Sequence, residues 1–307
     1  MTESSEALTK ALAEVLRSSV NRDGGWGYFP GKASRLEPTC WAALALRDVS
    51  ATAADTALVQ AALVRIAAWQ RADGLLFDVS AAPANLAFNG LAAVVLRHTL
   101  VAKRANEGGH DQAVAKLLSA ITRFAGVSQG QNKNLRQDNG LVGWPWVDGT
   151  FSWVEPTAWC LLALKKASAQ PSQANAARIA EGDRMLADRC CLDGGWNYGN
   201  ANVLGKELQP YVQTSALALC ALQDRRALLE VARSLGWLTA NWQREPSAAA
   251  LSLALMAMRV HRQPTDGPER ALHAHLAAAG LPANLATCAS TLYALNGTRD
   301  GYSALAL

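Results

Sequence analysis

Leu36-Glu-Pro-Thr-Cys-Trp-Ala-Ala-Leu-Ala-Leu46 decides the fold. A proline stands at its entrance, and beyond the threonine it is apolar on every side. Proline has φ pre-set for a helix and no N–H to leave unpaired, so the first turn of a helix suits it. A helix that is apolar all round is buried all round. The doorway recurs. Glu155-Pro156-Thr157 opens onto Ala158-Trp-Cys-Leu-Leu-Ala-Leu164, and similar runs follow Ala82-Pro83-Ala84, Gln209-Pro210-Tyr211, Glu245-Pro246-Ser247 and Leu281-Pro282-Ala283. Besides the first, the inner helices are expected over residues 84–97, 157–167, 211–223, 247–260 and 283–295. Pro30, Pro145, Pro171, Pro264 and Pro268 are read as lying outside helices.

Upstream of the doorways the pattern changes. Val59, Ala62, Leu63, Ile66 and Trp69 follow i, i+3, i+4, i+7 spacing, as do Val114, Leu117, Leu118, Ile121 and Phe124, and again Leu228, Val231, Ala232, Leu235 and Leu238. One apolar stripe with a polar back marks a helix on the outside of a domain. Weaker versions cover residues 5–19, 174–189 and 268–279. Outer and inner helices thus alternate six times in hairpins of roughly 50 residues, a repeat length that calls for either a solenoid or a closed ring. An open solenoid needs polar end caps, and neither terminal repeat is conspicuously polar. The expected fold is therefore all-α: one domain over 1–307, an (α/α)6 toroid with six outer and six inner helices.

The loops between outer and inner helices carry a second repeat. They read Asp23-Gly-Gly-Trp-Gly-Tyr28, Asp73-Gly-Leu-Leu-Phe77, Asn139-Gly-Leu-Val-Gly-Trp-Pro-Trp146 and Asp193-Gly-Gly-Trp-Asn-Tyr198. Asp-Gly and Asn-Gly make tight turns in which glycine supplies positive φ, and the aromatic residue folds back as a plug between hairpins. The third loop carries a polar insert from Ser128 to Asp138, a candidate rim or lid.

Bulk properties narrow the function. Half of the 307 residues are hydrophobic, and the formal charge of +4 is spread without basic runs, which argues against nucleic acid. The six cysteines show no Cys-x-x-Cys pairing, and Cys190 adjoins Cys191. With no signal-peptide pattern at the N-terminus, this predicts reduced thiols and a cytoplasmic protein. No apolar run reaches the roughly 18–20 residues that span a bilayer, which leaves contact with a membrane surface open. No phosphate-binding glycine loop, Gly-x-Ser-x-Gly elbow or Asp-rich magnesium motif is present.

Asp23-Gly-Gly-Trp-Gly-Tyr-Phe-Pro-Gly31 followed by Leu36-Glu-Pro-Thr-Cys-Trp41 resembles the prenyltransferase and squalene-oxidase repeat, and Leu235-Gly-Trp-Leu238 with Gln243 resembles a degraded QW motif of squalene–hopene cyclases. The resemblance extends over all six repeats. It implies the α/α toroid of terpenoid cyclases and protein prenyltransferase β subunits, a central apolar cavity for an isoprenoid, and, on the prenyltransferase side, a helical partner subunit.

The family's catalytic groups are then matched position by position. The zinc-binding Asp-x-Cys pair and histidine of the prenyltransferases correspond to Gln213-Thr214-Ser215 and Ala286-Thr287-Cys288, so the metal ligands are missing and no cofactor is implied. The Asp-x-Asp-Asp of class II cyclases is absent too. Glu155 stands where its middle, protonating residue would be, with Trp153 and Pro156 in place of the acidic neighbours, and Glu37 has the same place in the first repeat. A glutamate at the mouth of an apolar cavity can have a raised pKa and act as a general acid. A glutamate before Pro-Thr also suits a helix N-terminus, and Glu245 repeats the pattern. Trp41 and Trp159, each two residues after its threonine, are the expected substrate-binding aromatics, joined by Phe88 and Tyr211. Two readings follow: an enzyme of isoprenoid chemistry with Glu155 as acid, or a toroid without chemistry that holds a hydrophobic ligand or a partner protein.

Overall fold

The computed structural model describes residues 3–49, 52–79, 82–102, 108–167, 172–296 and 304–307. Six helices form the outer layer: α1 (Glu3–Ser18), α3 (Ala53–Ala68), α5 (Gly108–Arg123), α7 (Gln173–Asp188), α9 (Leu229–Asn241) and α11 (Asp266–Ala279). Six form the inner layer: α2 (Leu36–Val49), α4 (Leu86–Ala102), α6 (Val154–Ala167), α8 (Val212–Ala221), α10 (Ala248–Val260) and α12 (Leu285–Asn296). Each inner helix packs against the next, and α12 packs against α2, so the ring closes as an (α/α)6 toroid. The expected burial holds. Val59, Ala62, Leu63 and Ile66 are the buried stripe of α3, whereas α6 is buried at every residue from Pro156 to Leu164. No described helix is long and apolar enough to cross a membrane.

The prolines differ from expectation in detail. Pro38 and Pro156 lie in the first turns of α2 and α6, but Pro83, Pro210, Pro246 and Pro282 stand two or three residues ahead of their helices. Pro268, read as non-helical, occupies the first turn of α11, where its missing N–H costs nothing; Pro171 lies outside the described residues. A two-stranded hairpin of β1 (Asn202–Val203) and β2 (Lys206–Glu207) is the one sheet among the described residues. Its four residues carry no hydrophobic alternation from which to read it.

The loop repeat works as a clamp. Trp26, Trp144 and Trp196 are fully buried, and each indole N–H donates to a carbonyl of its own outer helix, Leu16, Ile121 and Leu186 respectively. Their backbone N–H groups donate to Thr39, Thr157 and Ser215 on the following inner helices at 2.8–3.0 Å. Leu76 and Asn89 make the same contact in the second repeat. Gly24 and Gly194 hold φ of +83° and +95°, and a Cβ on either would meet the next outer helix, at Ala61 or Arg233, within 2.9 Å.

A second set of bonds ties each repeat to its successor. The N–H that opens α2 donates to the Asp78 carboxylate, that of α4 to the Trp146 carbonyl, that of α6 to the Tyr198 carbonyl and that of α8 to the Glu245 carboxylate. The N–H that opens α12 donates to the Tyr28 carbonyl of the first repeat, across the closure of the ring. Glu245 therefore caps the helix before its own proline, not the one after it. Asp78→Ala removes the cap of α2 together with the Arg35 ion pair. A cap is worth about 1–2 kcal/mol, so a Tm lower by about 2–8 °C is expected in thermal unfolding. Asp148→Ala, which loses only a bond within its own loop, leaves Tm unchanged.

Candidate active site

First-turn residues of the inner helices converge on one cavity of about 190 Å³. Residues four apart on a helix share a face one turn apart, and this spacing builds the wall in two layers. Glu37, Glu155, Gln213, Ala249 and Ala286 form the outer layer. Trp41, Trp159, Leu217, Leu253 and Ser290, each four residues further on, form the inner one. Helix α4 contributes Phe88 and Leu91, and the first and fourth loops send in Tyr28 and Tyr198. The acids and aromatics lie on repeats one to four. On the remaining wall Gln213, Thr214, Asn284, Thr287 and Ser290 set polar groups among Leu217, Ala249, Leu253 and Ala286.

Trp41 and Trp159 meet edge to face, with ring centroids 5.8 Å apart and planes at 73°. Tyr293 backs Trp41 at 6.1 Å. The close approach behind Trp159 depends on Gly90 of α4, where a Cβ would come within 2.7 Å of the backbone at Trp159 and Cys160. Tyr211 is placed differently from the other expected aromatics. It sits 44% exposed just ahead of α8, outside the cavity wall, and its ring packs 5.3 Å from that of Tyr198. Beyond Tyr198 the rim opens into a broad apolar basin formed by Trp146, Phe151 and Trp153.

The two glutamates have different surroundings. Glu37 accepts a 2.7 Å hydrogen bond from the Tyr28 hydroxyl, whose ring lies under the Arg35 guanidinium. Burial raises the Glu37 pKa, while Tyr28 and Arg35 hold it back. Burial and Glu37 push the Tyr28 phenol far up, which keeps it a donor. Glu155 makes no hydrogen bond or ion pair among the described residues. Burial, with Glu37 nearby, pushes its carboxyl up to about 7. The site thus holds one glutamate with a hydrogen-bond donor and one whose pKa lies near neutrality. No Lys, Arg or His side chain lines the cavity. Among the described residues no three His, Cys, Asp or Glu side chains gather as a metal site requires. All six cysteines are free and buried.

Tyr28 and Tyr198 were quoted in the sequence only as loop aromatics, and Gln213 and Asn284 only as departures from a family pattern or not at all. The signal available for Leu91, Leu217 and Leu253 was their register, matching that of Trp41 and Trp159 in each inner helix.

No protein-family model and no curated protein matches the chain. Its fold is similar to that of solved structures. The GH76A alpha-1,6-mannanase of Salegentibacter sp. HEL1_6 aligns with TM-score 0.65 at 10% identity over 95% of this chain and 98% of that one. A protein from Actinoplanes aligns with TM-score 0.62 at 16% identity over 95% and 98%. The type II terpene cyclase MstE from Scytonema, in a variant bound to its product merosterolic acid A, aligns with TM-score 0.59 at 13% identity over 95% and 96%. These likenesses are of fold, and they establish the α/α toroid.

The raised Glu155 pKa has a consequence for stability. The folded state holds the proton up to about pH 7, whereas an unfolded glutamate releases it near 4.3. Stability therefore falls as pH rises between these values, and the cost persists above them. Glu155→Gln is expected to raise Tm by about 2–5 °C at pH 8 and to leave it unchanged at pH 4. Differential scanning calorimetry at the two pH values measures this; an equal shift at both would remove ionisation of Glu155 as the cause.

Proposed function

We propose that the protein is a general-acid enzyme whose substrate is a small isoprenoid seated against Trp41 and Trp159 and protonated by Glu155. The observation that carries this reading is the Glu155 carboxyl, unpartnered, at the mouth of an aromatic cavity, with burial pushing its pKa up to about 7. Efficient general acids have pKa values near the working pH. A pKa of about 7 matches an epoxide or ether oxygen better than an isolated alkene, whose protonation asks for a stronger acid. The proton passes from the Glu155 O–H to that oxygen, the C–O bond breaks, and the electron pair stays on oxygen. The positive charge on carbon faces the π clouds of Trp41 and Trp159, which attract cations. Glu37, which accepts the Tyr28 hydrogen bond, presents its carboxyl oxygens on the same wall. A carbon–carbon bond then forms from a substrate double bond, and loss of a proton to the Glu155 carboxylate completes the cycle. A diphosphate substrate has no counter-charge here, since the wall carries two acids and no base.

A glycosidase-like reading has its own support in the two carboxyls and the polar wall of Gln213, Asn284 and Thr287, because glycoside hydrolysis uses a pair of acids. The mannanase neighbour also has an inactive variant in which two consecutive aspartates are replaced by asparagine. This chain has no two adjacent acidic residues anywhere. That difference and the aromatic inner layer favour the isoprenoid.

Terminal epoxides of geranyl and farnesyl esters serve as probes, with products analysed by GC–MS. Wild-type protein is expected to turn over at least one of them, and the rate is expected to fall as pH rises through about 7. Glu155→Gln should lower the rate by at least about 100-fold while native mass spectrometry still detects bound probe. Unchanged turnover in Glu155→Gln removes Glu155 from the mechanism, and hydrolysis of oligosaccharides with no action on the epoxides selects the glycosidase reading.

A further inference from the structure

The polar insert of the third loop does not cover the central cavity. It folds sideways onto the fourth loop. Leu204 N–H donates to the Asn134 carbonyl at 2.8 Å, Leu135 bridges Val203, Arg136 pairs with Glu207 at 3.0 Å, and Asp138 N–H donates to the Asp188 carboxylate at 3.1 Å. Between the two loops lies a second pocket of about 160 Å³; none of its lining residues lines the acid cavity itself, and it adjoins the basin at that cavity's rim through Phe151 and Trp153.

Its lining has two kinds of wall. One is apolar: Phe151 and Trp153 beside Val127, Leu135 and Leu141, with the Trp153 ring laid against Gly199, where a Cβ would stand 3.2 Å away. The other is made of amides, Gln129, Gln137, Asn139 and Asn200. Gln137 is only 8% exposed. Its Nε2 donates to Asn200 at 2.7 Å and to Asn139 at 3.2 Å, which fixes the amide and leaves Oε1 buried without a hydrogen-bond partner. That oxygen is closed off from the pocket as well, so the amides a ligand can reach are Gln129, Asn139 and Asn200. The single charged side chain in the wall, Arg189, is already paired with Asp188 and donates to the Asp138 carbonyl. The pocket therefore offers no free charge to an anion or a cation. An apolar ligand would strip water from the Gln129, Asn139 and Asn200 amides without replacing it.

We propose that this pocket is a binding site for one neutral pyranose ring, its C–H face on Trp153 and Phe151 and its hydroxyls on the Gln129, Asn139 and Asn200 amides. The acid site is not needed for this binding, so the two readings stand or fall separately.

Saturation-transfer difference NMR with methyl glycosides of glucose, mannose and galactose tests it on the full chain. At least one is expected to bind saturably, with its ring C–H protons receiving the strongest transfer. Trp153→Ala should weaken that binding about tenfold, a loss typical of one aromatic contact. Phe151→Ala, at a half-exposed position that the fold does not need, should weaken it several-fold. Asn200→Ala should weaken it as well, and Glu155→Gln should leave it intact. No saturable binding of any of the three, or binding that Trp153→Ala and Phe151→Ala both leave unchanged, overturns the proposal.

Discussion

Five of the six inner helices begin with an N–H that donates to a group of the next repeat, Asp78, Trp146, Tyr198, Glu245 or, across the closure, Tyr28. The first N–H groups of any helix lack intrahelical partners. A helix buried on all sides cannot pass that deficit to water. Supplying the acceptor from the following repeat sets the angular position of each inner helix relative to its neighbour, and the Tyr28–Leu285 bond makes the series circular. The only inner helix outside this pattern, α10, is capped by its own Ser247.

The same caps shape the chemistry. Tyr198 offers its carbonyl to α6 while its ring lines the cavity, and Tyr28 offers its carbonyl to α12 while its hydroxyl binds Glu37. Scaffold and site are thus one set of residues in two repeats. Helix N-termini favour carboxylates through the macrodipole, and burial opposes them. At Glu245, which has the α8 N–H to accept, the charge serves as a cap. At Glu155, which has no such donor, burial prevails and the pKa rises to about 7.

Much of the ring was legible because it rests on local periodicity. The apolar run after Thr157 and the single stripe of α3 can each be read within one window of sequence. The positions of Glu155, Trp41, Trp159 and Phe88 on the cavity followed from the family resemblance and from helical register. Tyr211 was not legible in this way, since its ring turns outward onto Tyr198 at the point where the chain enters α8. The caps were hidden for a different reason. Asp78 lies 42 residues from Leu36, and nothing near either residue marks the pairing. The outer pocket is the extreme case, because Gln137 and Asn200 are 63 residues apart and meet only through a hairpin at Asn202–Glu207 with no strand pattern.

The account turns on Glu155 titrating near neutrality, well above the usual carboxylate range. Protein labelled with ¹³C at the glutamate side-chain carboxyl, titrated by NMR with Glu155→Gln to assign the resonance, measures this without knowledge of any substrate. A midpoint near 7 is predicted. A midpoint near 4.3, the value of an unperturbed glutamate, would contradict the assignment of Glu155 as the acid.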